Sequence, residues 1–338
     1  MPAKRGRQRI EVGPAAGEAA PETAGATASS HLPILPVHGQ KLAALATNRK
    51  MPVVDKPRVQ AAKERYNAWV KAMDELTLEG DALLEKLVAL LNDYKRFIEV
   101  DLIYDSPADF LYRQGGQHKV GNSILEEFLP RLADTRLVPG LGLVSHYKVG
   151  PQSAFAAFTI IGSVHTPLES SIFIRQKNQD YAICKQVYLK ASTTPTFEAG
   201  ATYTTEMSVA YLAAECKTNL DKTMFNEGLE ASRALKQAVA SARYLLICEW
   251  LDMPPIDTKL TEIDEAIILR RGKRLGSGFR DRLDSAGGRE EARAEFVRYY
   301  DNHPLSLDGF KRIVMHLNQV FPPTVELDET TVLERGYF

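Results

Sequence analysis

The chain has 338 residues and a formal net charge of −1, with 44% hydrophobic and 25% charged residues. This length is enough for one large domain or two medium ones, and the composition is typical of a soluble globular protein. A near-neutral charge excludes a global basic field, so any nucleic-acid binding must come from local clusters of basic residues. No apolar run is as long as a membrane span, and the basic N-terminus lacks the apolar stretch of a secretory signal.

The three cysteines give no sign of disulfides or of a zinc site. Cys184, Cys216 and Cys248 are odd in number, widely spaced, and each lies in an apolar run. They are interpreted as small buried hydrophobic residues in a reducing compartment, which favours the cytoplasm. The sequence also lacks a HExxH pair, a phosphate-binding glycine loop and a Gly-x-Ser-x-Gly nucleophile motif, which disfavours the corresponding enzyme classes.

Residues 1–50 are expected to be disordered. Four basic residues are followed by an Ala-, Gly-, Pro-, Glu- and Thr-rich stretch without hydrophobic periodicity, and such a segment buries too little apolar surface to offset its ordering entropy. The basic residues are Lys4, Arg5, Arg7 and Arg9. A solubilising tail is the favoured interpretation of this segment, and contact with nucleic acid is the alternative.

Residues 51–105 are predicted to be helical. Leucines recur at spacings of three and four, and Gly80 interrupts the pattern, which predicts a helical hairpin or one long bent helix. After a glycine-marked break at 115–118, a second helix is predicted from Gly121-Asn122-Ser123 onward, with Glu126 and Glu127 flanking its apolar stripe. A turn follows at 139–142.

The next part of the chain is rich in predicted strands. Apolar or alternating patterns predict strands at 154–161, 171–175, 180–190 and 207–217. A long helix is predicted over 222–242, after the N-cap candidates Asn219 and Asp221. The continuous apolar run at 244–248 is typical of a strand buried on both faces.

This order of helix, strands, helix and strand predicts an α/β fold with a mixed sheet and flanking helices. A basic segment at 270–282 and two further helices follow. The predicted organisation is a disordered tail (1–50), a helical region (51–105), a core (106–285) and a C-terminal helical extension (286–338).

The triplet Glu215-Cys216-Lys217 ends the 207–217 strand and directly precedes a helix. Because side chains alternate along a strand, Glu215 and Lys217 point to one side, while Leu212, Ala214 and Cys216 point to the core. A carboxylate can hold a divalent cation and a neighbouring lysine can position the attacking water, which suits metal-assisted phosphodiester hydrolysis. The alternative is an ordinary surface ion pair, because Glu-x-Lys triplets are common.

The element order and these residues resemble the PD-(D/E)XK nuclease superfamily. Glu215-Cys216-Lys217 matches the (D/E)-x-K motif, and Asp180 matches the upstream acid, with Gln179 in place of the proline. Glu126 lies where the helical glutamate of the superfamily falls. The longer string ECKTNLDKTMFNE, from Glu215 to Glu227, is similar to the BbvCI-like group of heterodimeric type II restriction endonucleases. The resemblance spans roughly residues 115–285.

The resemblance implies a sequence-specific DNA endonuclease that uses Mg²⁺. Asp180, Glu215 and the carbonyl of Cys216 would hold the ion, and Lys217 would orient the water and stabilise the phosphate, with Glu126 as a further catalytic residue. The implied partners are double-stranded DNA, a second or related subunit in a homodimer or heterodimer, and a cognate DNA methyltransferase. A repair nuclease, a nickase or a non-catalytic DNA-binding subunit are the alternatives.

Several assignments stay open in the sequence. The segment between Asp180 and Glu215 is long for a hairpin, so Glu206 and Glu198 are rivals for the upstream acid, and Glu127 is a rival for Glu126. The basic residues that could contact DNA could equally belong to solvated surface. They are Lys222, Arg271, Lys273 and Arg274. The recognition sequence is beyond prediction, because base readout depends on loop geometry.

Overall fold

A computed structural model describes residues 34–165, 172–323 and 329–336. Helices make up most of the chain before the sheet. They are α1 (Val37–Ala46), α2 (Lys56–Asp74), α3 (Gly80–Arg96), a π-helix that continues α3 (Phe97–Tyr104), α4 (Phe110–His118) and α5 (Ser123–Phe128). The predicted helical hairpin is present, and Gly80 stands at the start of α3 with a φ of 54°. Leucines at three- and four-residue spacing on α3 are buried, as their periodicity predicts.

Two predictions for this helical part differ from the structure. Residues 34–50 were expected to be disordered, yet α1 lies there with Leu42 and Leu45 buried in the main core. The main-chain N–H groups of His38 and Gly39, in its first turn, donate to the Glu127 carboxylate at 2.8 and 3.2 Å. These bonds satisfy donors that a helix N-terminus leaves free. Residues 1–33, including the basic start, lie outside the described residues.

The second difference is the glycine-marked break. Residues 115–118 are helical and belong to α4, and the chain turns instead at 119–122. Lys119 there has a φ of 51°, the left-handed conformation that residues other than glycine adopt infrequently. The direction of the chain therefore changes a few residues later than the glycines indicated.

The described residues form a mixed sheet in the order β1-β2-β3-β4-β5, which confirms the predicted α/β fold class. The strands are β1 (Tyr147–Ile160), β2 (Ile172–Ser192), β3 (Thr202–Leu220), β4 (Arg243–Leu251) and β5 (Glu265–Ile268). The β1–β2 and β2–β3 pairs are antiparallel, whereas β3–β4 and β4–β5 are parallel. The short strand β5 was not predicted.

Strand β2 is one element where the sequence predicts two. The predicted strands at 171–175 and 180–190 join through the polar run 176–179, and Ser171 itself lies outside the described residues. Pairing with β1 holds the polar run in extended form, with Gln176 opposite Phe155 and Gln179 opposite Gln152. Main-chain hydrogen bonds to β1 thus extend the strand where the apolar alternation stops.

The sheet is covered on both faces. Leu212, Ala214 and Cys216 of β3 pack into the core formed with the N-terminal helices, and Ala213 packs into a second core on the other face. The second core includes α6 (Lys222–Ala238), which ends four residues before its predicted end at 242. Tyr244 to Cys248 are all fully buried in β4, as predicted.

Four helices follow the sheet among the described residues: α7 (Ser277–Arg282), α8 (Ala286–Asp301), α9 (Leu307–Val320) and α10 (Glu329–Arg335). Leu317 of α9 belongs to the same core as Leu84 of α3 and Leu212 of β3, so one core includes residues from the predicted helical region, the core segment and the C-terminal extension. In the described part of the chain, no helix has both the length and the apolar character needed to cross a membrane.

Candidate active site

The hairpin of β2 and β3 brings Asp180 next to the Glu-x-Lys triplet. The last pair of the ladder is Tyr181 with Ala214, and the main-chain N–H of Cys216 donates to Asp180 Oδ2 at 2.9 Å. Both strands are long, and this accounts for the large sequence separation of the two carboxylates. Asp180 and Glu215 therefore meet at the end of the β2–β3 ladder.

The two rival acids lie elsewhere on this hairpin. Glu206 pairs with Tyr188, nine residues along β3 from Glu215, or about 30 Å at the usual rise of a strand. Glu198 lies in the connection between the two strands, beside the short helix Ala199–Ala201. The structure thus places Asp180 beside Glu215 and keeps Glu206 and Glu198 away from it.

Lys217 lies between two carboxylates. Its Nζ is 3.3 Å from Glu215 Oε2 and 3.3 Å from Glu227 Oε2. Burial alone would lower the pKa of Lys217, but Glu215 and Glu227 outweigh it and hold that pKa above its ordinary value. The ammonium form therefore dominates at neutral pH.

Glu227 was not predicted as a site residue. It lies in α6, whose N-cap Asp221 accepts a hydrogen bond from Met224 N at 2.9 Å. Asp221 thus has the capping role that its residue type suggests. The available signal for Glu227 was its position at the end of the ECKTNLDKTMFNE string, but its contact with Lys217 depends on the angle at which α6 leaves β3.

The two glutamates of α5 point to different places. Glu126 Oε1 accepts a hydrogen bond from Asn122 Nδ2 at 3.2 Å, and the same Nδ2 lies 3.4 Å from the carbonyl of Cys216. Burial, and then the charge of Asp180, raise the pKa of Glu126. The structure therefore places Glu126 next to Asp180 and Cys216.

Glu127 points toward α1 and α2. Besides the first turn of α1, it accepts a hydrogen bond from Tyr66 OH at 2.7 Å. Its carboxylate joins α1 and α2 to α5 and does not reach the Glu215 site. Of the two glutamates, Glu126 is the one whose hydrogen-bond partner Asn122 also lies beside the Cys216 carbonyl.

The residues around Glu215 fit a hydrated Mg²⁺ ion. Glu215 is 8% exposed, and its carboxylate faces Lys217, whose Nζ lies 3.3 Å from Oε2. Among the residues that the structure describes, no three His, Cys, Asp or Glu side chains are grouped as ligands for a metal. Mg²⁺, however, prefers oxygen ligands and keeps several waters, so two carboxylates and a carbonyl can suffice. The oxygens of Asp180 and Glu215, with the Cys216 carbonyl, form such a donor set.

The sulfur of Cys216 takes no part in this donor set. Its side chain is 2% exposed in the main core. Burial, and then the charge of Asp180, hold the pKa of the Cys216 thiol well above its ordinary value. The thiol stays protonated, so only the main-chain oxygen of Cys216 is available to a cation.

A cavity of about 570 Å³ opens beside these groups. Asp180, Lys217 and Glu227 line one side, and the rings of Trp250 and Tyr299 line another. Those two rings stack on each other, with centroids 5.2 Å apart. The aromatic side of the cavity is therefore closely packed, while the polar side is accessible to a ligand.

The predicted DNA-contacting residues differ in how they are placed. Arg274 lines the cavity and makes a 3.1 Å ion pair with Asp252. Arg271 forms an exposed ion pair with Asp308, and Lys273 and Lys222 are exposed. Of these four residues, Arg274 is the one that lines the cavity.

Arg270, the first residue of the basic segment, is 2% exposed and belongs to a buried charge network. Its guanidinium is 2.9 Å from Glu249 Oε2 and 3.0 Å from Glu99 Oε2. Lys95 completes the network, with its Nζ 2.8 Å from Glu99 Oε1 and 2.9 Å from Glu249 Oε1. This part of the basic segment is therefore neither a solvated loop nor a DNA contact.

The buried network also reaches the active site. Lys95 Nζ donates to the carbonyl of Gly121 at 2.9 Å, and Gly121 precedes the Asn122 that contacts Glu126 and Cys216. Tyr300 OH donates to Glu99 Oε2 at 2.7 Å, which connects α8 to the same group. The network thus fixes the turn at 119–122 against the sheet.

The mixed sheet has helices on both faces and carries Asp180, Glu215 and Lys217 where β2 and β3 meet, the arrangement that the resemblance to PD-(D/E)XK nucleases predicts. The family model of the Bpu10I restriction endonuclease matches residues 117–338. The chain therefore belongs to the Bpu10I restriction endonuclease family and is a type II site-specific deoxyribonuclease. This confirms the predicted resemblance of the chain to type II restriction endonucleases.

Among solved structures, the native BbvCI A2B2 tetramer at low resolution is similar to the chain, with 19% sequence identity and a TM-score of 0.47. The alignment covers 71% of this chain and 85% of that chain. No curated protein sequence matches the chain significantly.

Proposed function

We propose that this restriction endonuclease hydrolyses DNA phosphodiester bonds at the junction of β2 and β3, with Mg²⁺ as its cofactor. The observation that carries the proposal is the meeting of Asp180, Glu215 and Lys217 beside an open cavity. Burial, and then the negative charge of Asp180, raise the pKa of Glu126, so the ionised carboxylates of this cluster repel one another. A bound cation would offset this repulsion between the carboxylates.

Asp180, Glu215 and the Cys216 carbonyl would hold the ion. When bound there, Mg²⁺ would activate a water molecule and neutralise charge on the phosphate. Lys217 stays protonated between Glu215 and Glu227, so it acts as a cation and hydrogen-bond donor rather than as a neutral base. Its ammonium can orient the attacking water and stabilise the negative charge that develops on the phosphate.

Glu126 has a supporting catalytic role in this proposal. Its raised pKa makes its carboxylate a better proton acceptor than an exposed glutamate, and Asn122 holds one of its oxygens in place. The carboxylate is thus placed to accept a hydrogen bond from a water near Asp180. The products would carry a 5′-phosphate and a 3′-hydroxyl.

Cleavage of both DNA strands requires two such sites. One chain carries one Asp180–Glu215–Lys217 set among its described residues, so the proposal includes a homodimer or a heterodimer with a related subunit. A cognate DNA methyltransferase would protect the host DNA, and the enzyme would work in the cytoplasm. Lys222, Arg271, Lys273 and Arg274 are proposed as phosphate contacts, with Arg274 nearest to the cavity.

The proposal is tested by metal-dependent cleavage. Purified protein is incubated with plasmid and phage DNA with and without Mg²⁺, and the ends of the products are sequenced. Glu215→Gln and Asp180→Asn should each abolish cleavage while keeping or improving DNA binding in EDTA, because each removes a negative charge near the phosphate. Glu206→Gln, on the same hairpin, is the matched control and should cut normally. Loss of cleavage in Glu206→Gln with full activity in Asp180→Asn would refute the assignment of the upstream acid.

A further inference from the structure

Strands β1 and β2 continue as a two-stranded ribbon past the active site. The β2–β3 ladder ends at Tyr181, while β1 and β2 stay paired as far as Ile160 and Ile172. Apart from one pairing of Ala154 with Ser208, β1 has no ladder with β3. The segments 152–160 and 172–179 therefore form a ribbon, here called the β-ribbon, which begins at Asp180.

The β2 side of the β-ribbon carries a polar run directly before Asp180. Its sequence is Arg175-Gln176-Lys177-Asn178, and Arg175, Gln176 and Asn178 are exposed. None of these three forms an ion pair or a side-chain hydrogen bond with another described residue. Folding of the described chain thus leaves their hydrogen-bonding groups free for a ligand.

One face of the β-ribbon looks toward the catalytic carboxylates. Lys177 Nζ lies 3.9 Å from Glu215 Oε1. Opposite residues 172–179, the register shift comes from an extra residue in β1, so β2 itself alternates regularly. This alternation places Arg175 on the same face as Lys177. DNA with a phosphate at Glu215 and Lys217 would therefore pass over Lys177 and Arg175.

The exposed residue types of the β-ribbon match base edges in the major groove of DNA. A groove about 12 Å wide admits a two-stranded ribbon, arginine pairs with guanine through two hydrogen bonds, and Asn or Gln pairs with adenine. Arg175 is five positions before Asp180 in β2, a distance of about 17 Å along the strand. At about 3.4 Å per base pair, this distance reaches base edges within about five base pairs of the scissile phosphate.

We propose that the β-ribbon is the sequence-reading element of this endonuclease, and that Arg175 reads a guanine in the major groove. This inference rests on the proposed function, because it needs DNA bound at the Asp180–Glu215 site. Gln176 and Asn178 lie on the other face of β2 and point away from this DNA path, so the reading role is assigned to Arg175 alone. Arg175 is a specificity residue here and has no part in the hydrolysis.

The experiment measures base preference without cleavage. Full-length chain carrying Lys217→Ala selects its preferred sequence from a library of randomised DNA duplexes, and its affinity is then measured for every single-base-pair variant of that sequence. Adding Arg175→Ala should remove the preference for guanine at one position, a loss of about 5- to 150-fold in discrimination. Arg175→Lys should lose most of it as well, because an ammonium cannot make the paired contact.

Lys190→Ala, at the far end of the same strand, is the matched control and should keep the full preference. Unchanged melting temperatures of the variants would show that the fold is intact. Unchanged preference at every position in Arg175→Ala overturns the inference. So does a uniform loss of affinity with a salt slope reduced by about 0.9, because that result identifies a phosphate contact.

The failure of the proposed function is a separate result. If the Lys217→Ala chain selects no sequence and the wild type cuts no DNA with Mg²⁺, both proposals fall. If the wild type cuts at a defined site and Arg175→Ala keeps the full preference, only the reading role of the β-ribbon falls.

Discussion

Removing one charge from the buried network beneath the active site should strongly destabilise the protein. Glu249 is 1% exposed, and its two oxygens each lie 2.9 Å from a cation, Lys95 on one side and Arg270 on the other. With Glu99, the network has two positive and two negative groups. Glu249→Gln keeps the shape but leaves two buried cations facing one carboxylate. Breaking a buried pair in this way costs about 3–5 kcal/mol.

The free energy of unfolding of Glu249→Gln is measured by urea denaturation against wild type. Asp308→Asn is the control, because it breaks an ion pair with Arg271 in which both side chains are more than half exposed, and it should cost less than about 1 kcal/mol. Adding Lys95→Met to Glu249→Gln restores the charge balance and should recover part of the loss. A loss below about 1 kcal/mol in Glu249→Gln, or a double variant no more stable than the single one, would show that the buried charges do not depend on one another in this way.

Two further predictions concern pH and salt. Burial and Asp180 raise the pKa of Glu126 above its unfolded value, so the stability associated with its protonated form is present at low pH and is lost as the pH rises through the folded pKa. In EDTA, the free energy of unfolding of Glu126→Gln should therefore be higher than that of wild type near pH 8 and about equal to it near pH 4. An equal difference at both pH values would contradict this prediction. A triple variant, with Arg271, Lys273 and Arg274 changed to glutamine, tests whether these side chains contact phosphates. The slope of log K for DNA binding against log salt should flatten by about 0.9 for each phosphate that they neutralise in the wild type. An unchanged slope would remove this segment from the DNA interface.

The triplet Glu215-Cys216-Lys217 could be proposed from the sequence because it depends on local patterns. Alternation along a strand sets Glu215 and Lys217 apart from the core residues Ala214 and Cys216, and the strand end before a helix gives the triplet its position. The sequence suggests Asp180 as the upstream acid but does not distinguish it from Glu206 and Glu198. The proximity of Asp180 to Glu215 depends on the length and register of the β2–β3 hairpin, and the polar run before Asp180 obscured the true extent of β2.

Other features depend on contacts that no local pattern contains. Glu126 and Glu127 flank the same apolar stripe, and only the packing of α1 and α2 against α5 shows that Glu127 has a structural role. Arg270 heads a run of basic residues and thus resembled a surface loop, although Glu249, a single charge within an apolar strand, is the partner that buries it. The helix α1 follows a stretch of low-complexity composition, so its short apolar pattern was not recognised.

Lys217 is proposed to act on the phosphate from its position between Glu215 and Glu227. This role is tested most directly by single-turnover cleavage of duplex DNA in Mg²⁺, measured for wild type, Lys217→Ala and the exposed control Lys222→Ala, together with DNA affinity in EDTA. We expect Lys217→Ala to lose cleavage while its affinity for DNA stays within about tenfold, or about 1.4 kcal/mol, of wild type. Lys222→Ala should still cut. A Lys217→Ala enzyme that cuts at a rate near that of wild type would contradict this role.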